Sequence, residues 1–125
     1  MILDTNALSA LFKKEPGIEA YLKDADQLYV PVIVIGEYLF GLQVFSRAGE
    51  LKKLLTDFLR ASRVLSLTVG TADFYADIRG ELKRAGTPIP ENDIWIAALV
   101  REYALPILSR DVHFDYVKGV ERLSW

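Results

Sequence analysis

The sequence predicts one α/β domain built on a central, mostly parallel sheet of four or five strands flanked by helices. Three observations predict it. Met1–Leu3 and Pro106–Ser109 are short runs without polar alternation, as strands covered on both faces require. Helically patterned segments separate successive strands, and such crossovers join parallel neighbours. A chain of 125 residues has the size of one domain, residues 1–125, with a core of its own.

The first strand, Met1-Ile2-Leu3, runs straight into Asp4-Thr5-Asn6. Parallel strands present ligand sites at their carboxyl ends, which is where Asp4 falls. Asp4 or Asn6 also reads as a plain cap on the following helix, Ala7 to Phe12. Lys13-Lys14-Glu15-Pro16-Gly17 breaks the chain before a second helix from Ile18 to Lys23, which Asp24-Ala25-Asp26 ends. Gln27-Leu28-Tyr29-Val30 is the second strand, closed by Pro31.

Val32 to Phe45 patterns as a helix with hardly any polar face. Such a helix is either sunk in the protein or covered by a partner. In so small a domain one face reaches the core, so a second subunit is expected on the other. Glu37 is its one charged residue. An isolated buried carboxylate is costly unless it is protonated, paired or bound to a cation, so Glu37 reads as a salt bridge or as a functional group. Ala48 to Ala61 is a conventional amphipathic helix, and Arg63 to Leu67 a third strand. Thr71 or a neighbour opens a long helix to Ala85, stopped by Gly86. Arg79, Lys83 and Arg84 in its last turns complement the helix dipole or line a phosphate path.

Beyond Thr87-Pro88-Ile89-Pro90, Glu91-Asn92-Asp93 opens a helix that continues without a polar residue from Ile94 to Val100. The helix dipole favours an acid in a first turn by ~0.3–1 kcal/mol, which accounts for Asp93 in the plainest way. Glu91 and Asn92 already supply polar groups there, however, so a further carboxylate against the core is surplus to capping. The fourth strand, Pro106 to Ser109, runs into Arg110-Asp111. A short helix or turn with His113, Phe114 and Tyr116 then precedes an edge strand from Val120 to Trp125. His113 is expected as a surface residue of this last loop, since one histidine rarely suffices for a ligand set.

Composition removes several classes of function. Cysteine is absent, which excludes disulfides, thiolate zinc sites and cysteine nucleophiles and fits a reducing compartment. No apolar run approaches the ~18 residues of a membrane span, and no secretory leader is readable ahead of Asp4, so a cytoplasmic protein without membrane contact is expected. The formal net charge of −2 offers nucleic acid no overall attraction, so such binding needs a local basic patch or a metal. No Gly-rich loop with Lys-Ser/Thr and no G-x-S-x-G motif is present, which argues against a P-loop ATPase and a serine hydrolase.

Two apolar strands thus end in carboxylates, Asp4 and Asp111, and two apolar helices carry Glu37 and Asp93 near their starts. In a parallel sheet these positions share one edge. Four converging carboxylates repel unless some stay protonated or a hard dication holds them. Without cysteine, and with a single histidine, Mg²⁺ or Mn²⁺ suits the set better than zinc. Acidic pockets of this kind commonly serve phosphodiester hydrolysis, in which the metal activates water and screens the phosphate.

Four stretches together resemble the motifs of PIN-domain ribonucleases, and most closely the VapC-type toxins of VapBC toxin–antitoxin pairs. They are Met1-Ile-Leu-Asp-Thr-Asn-Ala-Leu, Val34-Ile-Gly-Glu-Tyr-Leu-Phe-Gly, Pro90-Glu-Asn-Asp-Ile-Trp-Ile-Ala-Ala and Leu108-Ser-Arg-Asp-Val-His-Phe. The resemblance implies a PIN-like three-layer sandwich and a Mg²⁺- or Mn²⁺-dependent endoribonuclease. It also implies a homodimer and a cognate antitoxin as partner. By the same resemblance Asp4, Glu37, Asp93 and Asp111 form the catalytic site, with Asp4, Asp93 and Asp111, and with them Glu37, as metal ligands. Thr5, Asn6 and Ser109 stand as polar supports, and Asp115 is an alternative to Asp111. A receiver-type phosphoacceptor domain shares the size and the acidic pocket but wants paired acids after the first strand, where Thr5-Asn6 stands. A non-cleaving PIN-like module binding RNA or protein would be expected to have lost acidic residues, and none is lost.

Overall fold

The apolar runs become strands of only two or three residues. A computed structural model describes residues 1–125. In chain order these form β1 (Ile2–Leu3), α1 (Thr5–Phe12), α2 (Ile18–Leu22), β2 (Tyr29–Pro31), α3 (Val32–Leu42), α4 (Ala48–Arg60), β3 (Arg63–Leu65), α5 (Val69–Ala85), α6 (Glu91–Tyr103) and β4 (Ile107–Leu108). A 3₁₀ turn over Val112–Tyr116 leads to β5 (Arg122–Leu123). The five strands pair in the order β3-β2-β1-β4-β5, every pair parallel, so the sheet is wholly rather than mostly parallel.

Successive side chains of a strand point to opposite faces, and the core divides accordingly. Ile2 and Ile107 enter the larger cluster with Val34 of α3, Ile78 of α5 and Ile96 of α6. Leu3 and Leu108 enter a smaller one with Ala7 and Ala10 of α1 and Ile18 of α2. Helices therefore cover both faces, giving three layers. β1 pairs with β2 on one side and with β4 on the other, in the registers Ile2↔Tyr29 and Leu3↔Leu108. Strand order reverses between β1 and β4, and open α/β sheets form a crevice at the carboxyl ends of such a pair.

Several boundaries differ from the sequence reading, each for a local reason. α1 begins at Thr5 because Asp4 is its N-cap. Pro31 pairs with Leu65 instead of merely closing β2, which its place at the strand end permits. β3 stops at Leu65, and α5 begins at Val69 behind a capping box in which Thr68 and Thr71 exchange side-chain and backbone bonds of 3.1 and 3.3 Å. α3 ends at Leu42, three residues short of Phe45. It buries one stripe, Val34, Tyr38 and Leu42, and leaves Phe40 74 % exposed. No helix is long and apolar enough to cross a membrane.

Candidate active site

Only four polar side chains of the chain are buried: Asp4, Thr71, Asp93 and Ser109. Thr71 is accounted for by the cap of α5 and by its bond to Glu102 (2.7 Å). The other three belong to the crevice between β1 and β4. Burial of polar groups is costly unless their bonds are satisfied, and here Ser109 satisfies Asp4 while His113 meets Asp93. At the end of β4 its Oγ donates to Asp4 Oδ2 (2.5 Å) and accepts from Asn6 Nδ2 (3.2 Å) and from the Asp111 N–H (2.9 Å).

Asp4 also accepts from the Thr5 N–H (2.8 Å) and from Asn6 Nδ2 (3.0 Å). Capping and site membership, alternatives in the sequence, are therefore two duties of one carboxylate. The Thr5 hydroxyl turns the other way and donates to Glu37 Oε1 (3.0 Å). Glu37 is half-buried and paired with this hydroxyl, so it is neither the isolated buried charge nor the salt bridge that its helix suggested.

Asp93 lies in the first turn of α6, whose N-cap is Pro90 and whose entry has no side-chain cap. Glu91, the residue expected to serve there, turns aside to Arg79 (3.2 Å) and the Tyr75 hydroxyl. That pairing also engages Arg79, which had been open to a phosphate path. Asp93 Oδ2 instead meets His113 Nδ1 at 2.9 Å, and Asp111 Oδ1 meets the same nitrogen at 2.9 Å. Asp111 caps the 3₁₀ turn through the His113 N–H (3.0 Å), which aims the ring back at the acids. Ligand atoms of Asp93, Asp111 and His113 lie within 4.8 Å of one another.

The expectation that His113 is a plain surface residue is thus corrected: it is partly exposed, yet its ring nitrogen points into the acidic cluster. The signal in the sequence was the two-residue spacing from Asp111, which a tight turn converts into proximity. Asp115 faces elsewhere, held in a bidentate pair with Arg122 (2.7 and 2.8 Å). Of the two late acids, Asp111 is the one beside Asp93.

The charges of the cluster are under strain. Burial, opposed by the Ser109 and Thr5 bonds and aided by Glu37 and Asp111, raises the Asp4 carboxyl above the ordinary range. Burial lifts Asp93 to about 6, against the His113 bond and with the repulsion of Asp111 and Asp4. His113 is itself raised, chiefly by its bond to Asp93 and then by the two aspartate charges. Carboxylate oxygens whose ionisation is opposed by burial and by one another suit a divalent cation, which the donor set fits. Asp4, Asp93, Asp111 and His113 are the groups that could hold it.

Comparison with known proteins bears on the family and the fold. Residues 1–120 match the PIN domain family. The chain is 31 % identical over 136 residues to the VapC ribonuclease Y4jK of Sinorhizobium fredii, covering 99 % of this chain and 96 % of the relative. It is 27 % identical over 127 residues to ribonuclease VapC2 of Haemophilus influenzae, covering 99 % and 96 %. The crystal structure of VapBC2 from Rickettsia felis, bound to a DNA fragment from its promoter, is similar in fold. Its TM-score is 0.88 at 19 % identity, over 99 % of this chain and 97 % of that one.

The sign of the pH dependence follows from the raised groups. Asp4, Asp93 and His113 each bind protons more tightly in the folded protein than in the unfolded one. Their contribution to stability is fully present below the unfolded values and is lost as pH rises, for Asp93 between about 4 and about 6 and for His113 above about 6.5. A dication substitutes for those protons. The rise in melting temperature on adding Mg²⁺ is expected to be larger at about pH 8 than at about pH 5. Differential scanning fluorimetry at constant ionic strength checks it, and an equal or reversed effect contradicts the assignment.

Proposed function

The chain belongs to the PIN-domain family, among its VapC-type members, and from that premise we propose that it is a metal-dependent endoribonuclease acting as the toxin of a toxin–antitoxin pair. One observation carries the reading: Asp93 and Asp111 converge on His113 at the carboxyl edge of the sheet, with the buried Asp4 near enough for its charge to act on Asp93. Asp4, Asp93 and Asp111 would hold Mg²⁺ or Mn²⁺, with Glu37 beside them. When bound, such an ion screens the phosphate and makes water a stronger acid at neutral pH.

The chain's own residues supply the rest. Ser109, Asn6 and the Thr5 N–H lock the Asp4 rotamer, so its oxygens need no reorganisation when RNA arrives. Thr5 orients Glu37, which stands outside the Asp93–Asp111–His113 trio and takes the proton that the attacking water gives up. His113 pairs through one ring nitrogen with both Asp93 and Asp111, and these bonds raise its affinity for a proton. We infer that it acts in the cytoplasm, where RNA is abundant.

Asp4→Asn and Asp93→Asn preserve shape and remove a charge. Each should lower RNA cleavage by at least about 100-fold, in line with losses at metal-site residues, while the circular dichroism spectrum is kept. Cleavage of labelled hairpin RNA checks this; full activity in excess chelator, or in either variant, would remove the reading.

The exposed stripe of α3, Val32, Gly36 and Phe40, recurs at four-residue intervals and supports a homodimer formed by two such helices. Light scattering at micromolar concentration should give twice the chain mass, and Phe40→Asp should give the monomer. A wild-type monomer there contradicts the dimer.

On the other side of α3, a groove of about 540 Å³ lined by Phe12, Tyr38, Leu42, Phe45 and Leu54 opens onto Thr5 and Glu37. An antitoxin segment with apolar anchors would lie there and place an arginine on the acidic cluster, competing with the metal. By linkage, raising Mg²⁺ must then weaken the antitoxin. Calorimetric titration at two Mg²⁺ levels and one ionic strength decides: equal affinity excludes direct competition.

A further inference from the structure

We propose that Arg110, which directly follows Ser109 in the chain and whose guanidinium is seated on the Trp125 ring, is a phosphate clamp that positions the RNA strand. The proposal rests on the ribonuclease reading and adds to it a binding residue. The reasoning begins with charge. A chain of formal net charge −2 with an acidic crevice holds a polyanion only where local cations offset that field. Arg122 lies beside the crevice but is spent: its fork is closed on Asp115, its Nη1 donates to the Ser109 carbonyl (3.0 Å), and its side chain is 18 % exposed.

Arg110 is placed differently. It stands between Ser109 and Asp111, and its backbone N–H donates to Asn6 Oδ1 (3.1 Å), so its anchorage is the polar network that holds Asp4. Its side chain is 48 % exposed, with the guanidinium carbon 4.1 Å from the centre of the Trp125 ring. The ring supports one face of the guanidinium and leaves its edges open. One of those edges pairs with Glu15 Oε2 (2.9 Å), the oxygen that also accepts from Trp125 Nε1 (3.4 Å).

A planar, stacked guanidinium has its donors aligned in advance for phosphate oxygens, and five donors are more than one carboxylate oxygen uses. Glu15 accordingly stands in for the phosphate. When the strand arrives, a phosphodiester takes the guanidinium edge and Glu15 swings to solvent, still beside the indole N–H. A purely structural tether between this loop and Trp125 would use the same three side chains but would leave RNA affinity untouched.

The discriminating measurement is fluorescence anisotropy with a labelled pool of RNA hairpins whose loops are randomised. The protein carries Asp93→Asn to prevent cleavage, and the titration is repeated over a range of salt. Arg110→Gln should weaken binding by about tenfold. It should also reduce the slope of log affinity against log salt by about one phosphate contact. Arg110→Lys should restore the salt slope and only part of the affinity, and Glu15→Gln should tighten binding by removing the competing carboxylate. With Asp93 intact, the loss in Arg110→Gln should fall on KM rather than kcat. Unchanged affinity and slope in Arg110→Gln, at a melting temperature equal to that of its parent, would overturn the clamp and leave the nuclease reading standing. A wild-type chain that neither binds nor cleaves the pool would remove both.

Discussion

The hydrogen bond from Ser109 to Asp4 is the contact on which the site depends. It joins the ends of two neighbouring parallel strands, each only two residues long. So short a ladder contributes few backbone bonds, and part of the alignment of β1 with β4 comes from the polar network beyond it. Ser109 also takes the Asn6 amide and the Asp111 N–H, so one buried hydroxyl sets the positions of Asp4, Asn6 and the turn after β4. A buried network with every member satisfied is rigid, and no buried side-chain polar atom of the chain lacks a partner. Precision at this edge of the sheet thus comes from side chains more than from the sheet itself.

Asp93, Asp111 and His113 show how a fold tolerates charges it cannot neutralise by itself. The carboxylates are brought together by topology, one at the start of α6 and one after β4, and burial raises the cost of ionising Asp93. The His113 ring at the mouth, when protonated, offsets part of that cost. Its charge is labile in the pH range where the site must work, which a lysine's would not be.

Much of this was legible in the sequence, for reasons that particular residues make plain. Ile2-Leu3 and Ile107-Leu108 carry no polar alternation because both faces of the sheet are covered, and a parallel central sheet followed from that. Asp4, Asp93 and Asp111 stood out as acids abutting apolar runs. What escaped were features set by three-dimensional turns. Nothing in Val44-Phe45 signals the end of α3, since both are as apolar as the helix before them, yet the chain leaves the helix at Leu42. Glu91 looked like a capping residue until α5 supplied Arg79 and Tyr75 across the gap. His113 looked solitary because its partners come from another helix and from the residue that caps its own turn.

The bond between Asp4 and Ser109 spans 105 residues of sequence, and that span has a temporal meaning. Chains are synthesised in one direction at ~5–20 residues per second, so Asp4 waits on the order of ten seconds for the hydroxyl that will hold it. Through most of that interval Asp4 and Glu37 are present without Asp93, through all of it without Asp111 or His113, and β1 lacks its neighbour β4. A fragment ending before Ser109 carries Asp4, Glu37 and Asp93 but lacks both the hydroxyl that holds Asp4 and the Asp111 and His113 side chains that meet Asp93. The complete cluster therefore exists only in chains extended past His113, so the site is among the last parts of the molecule to be finished.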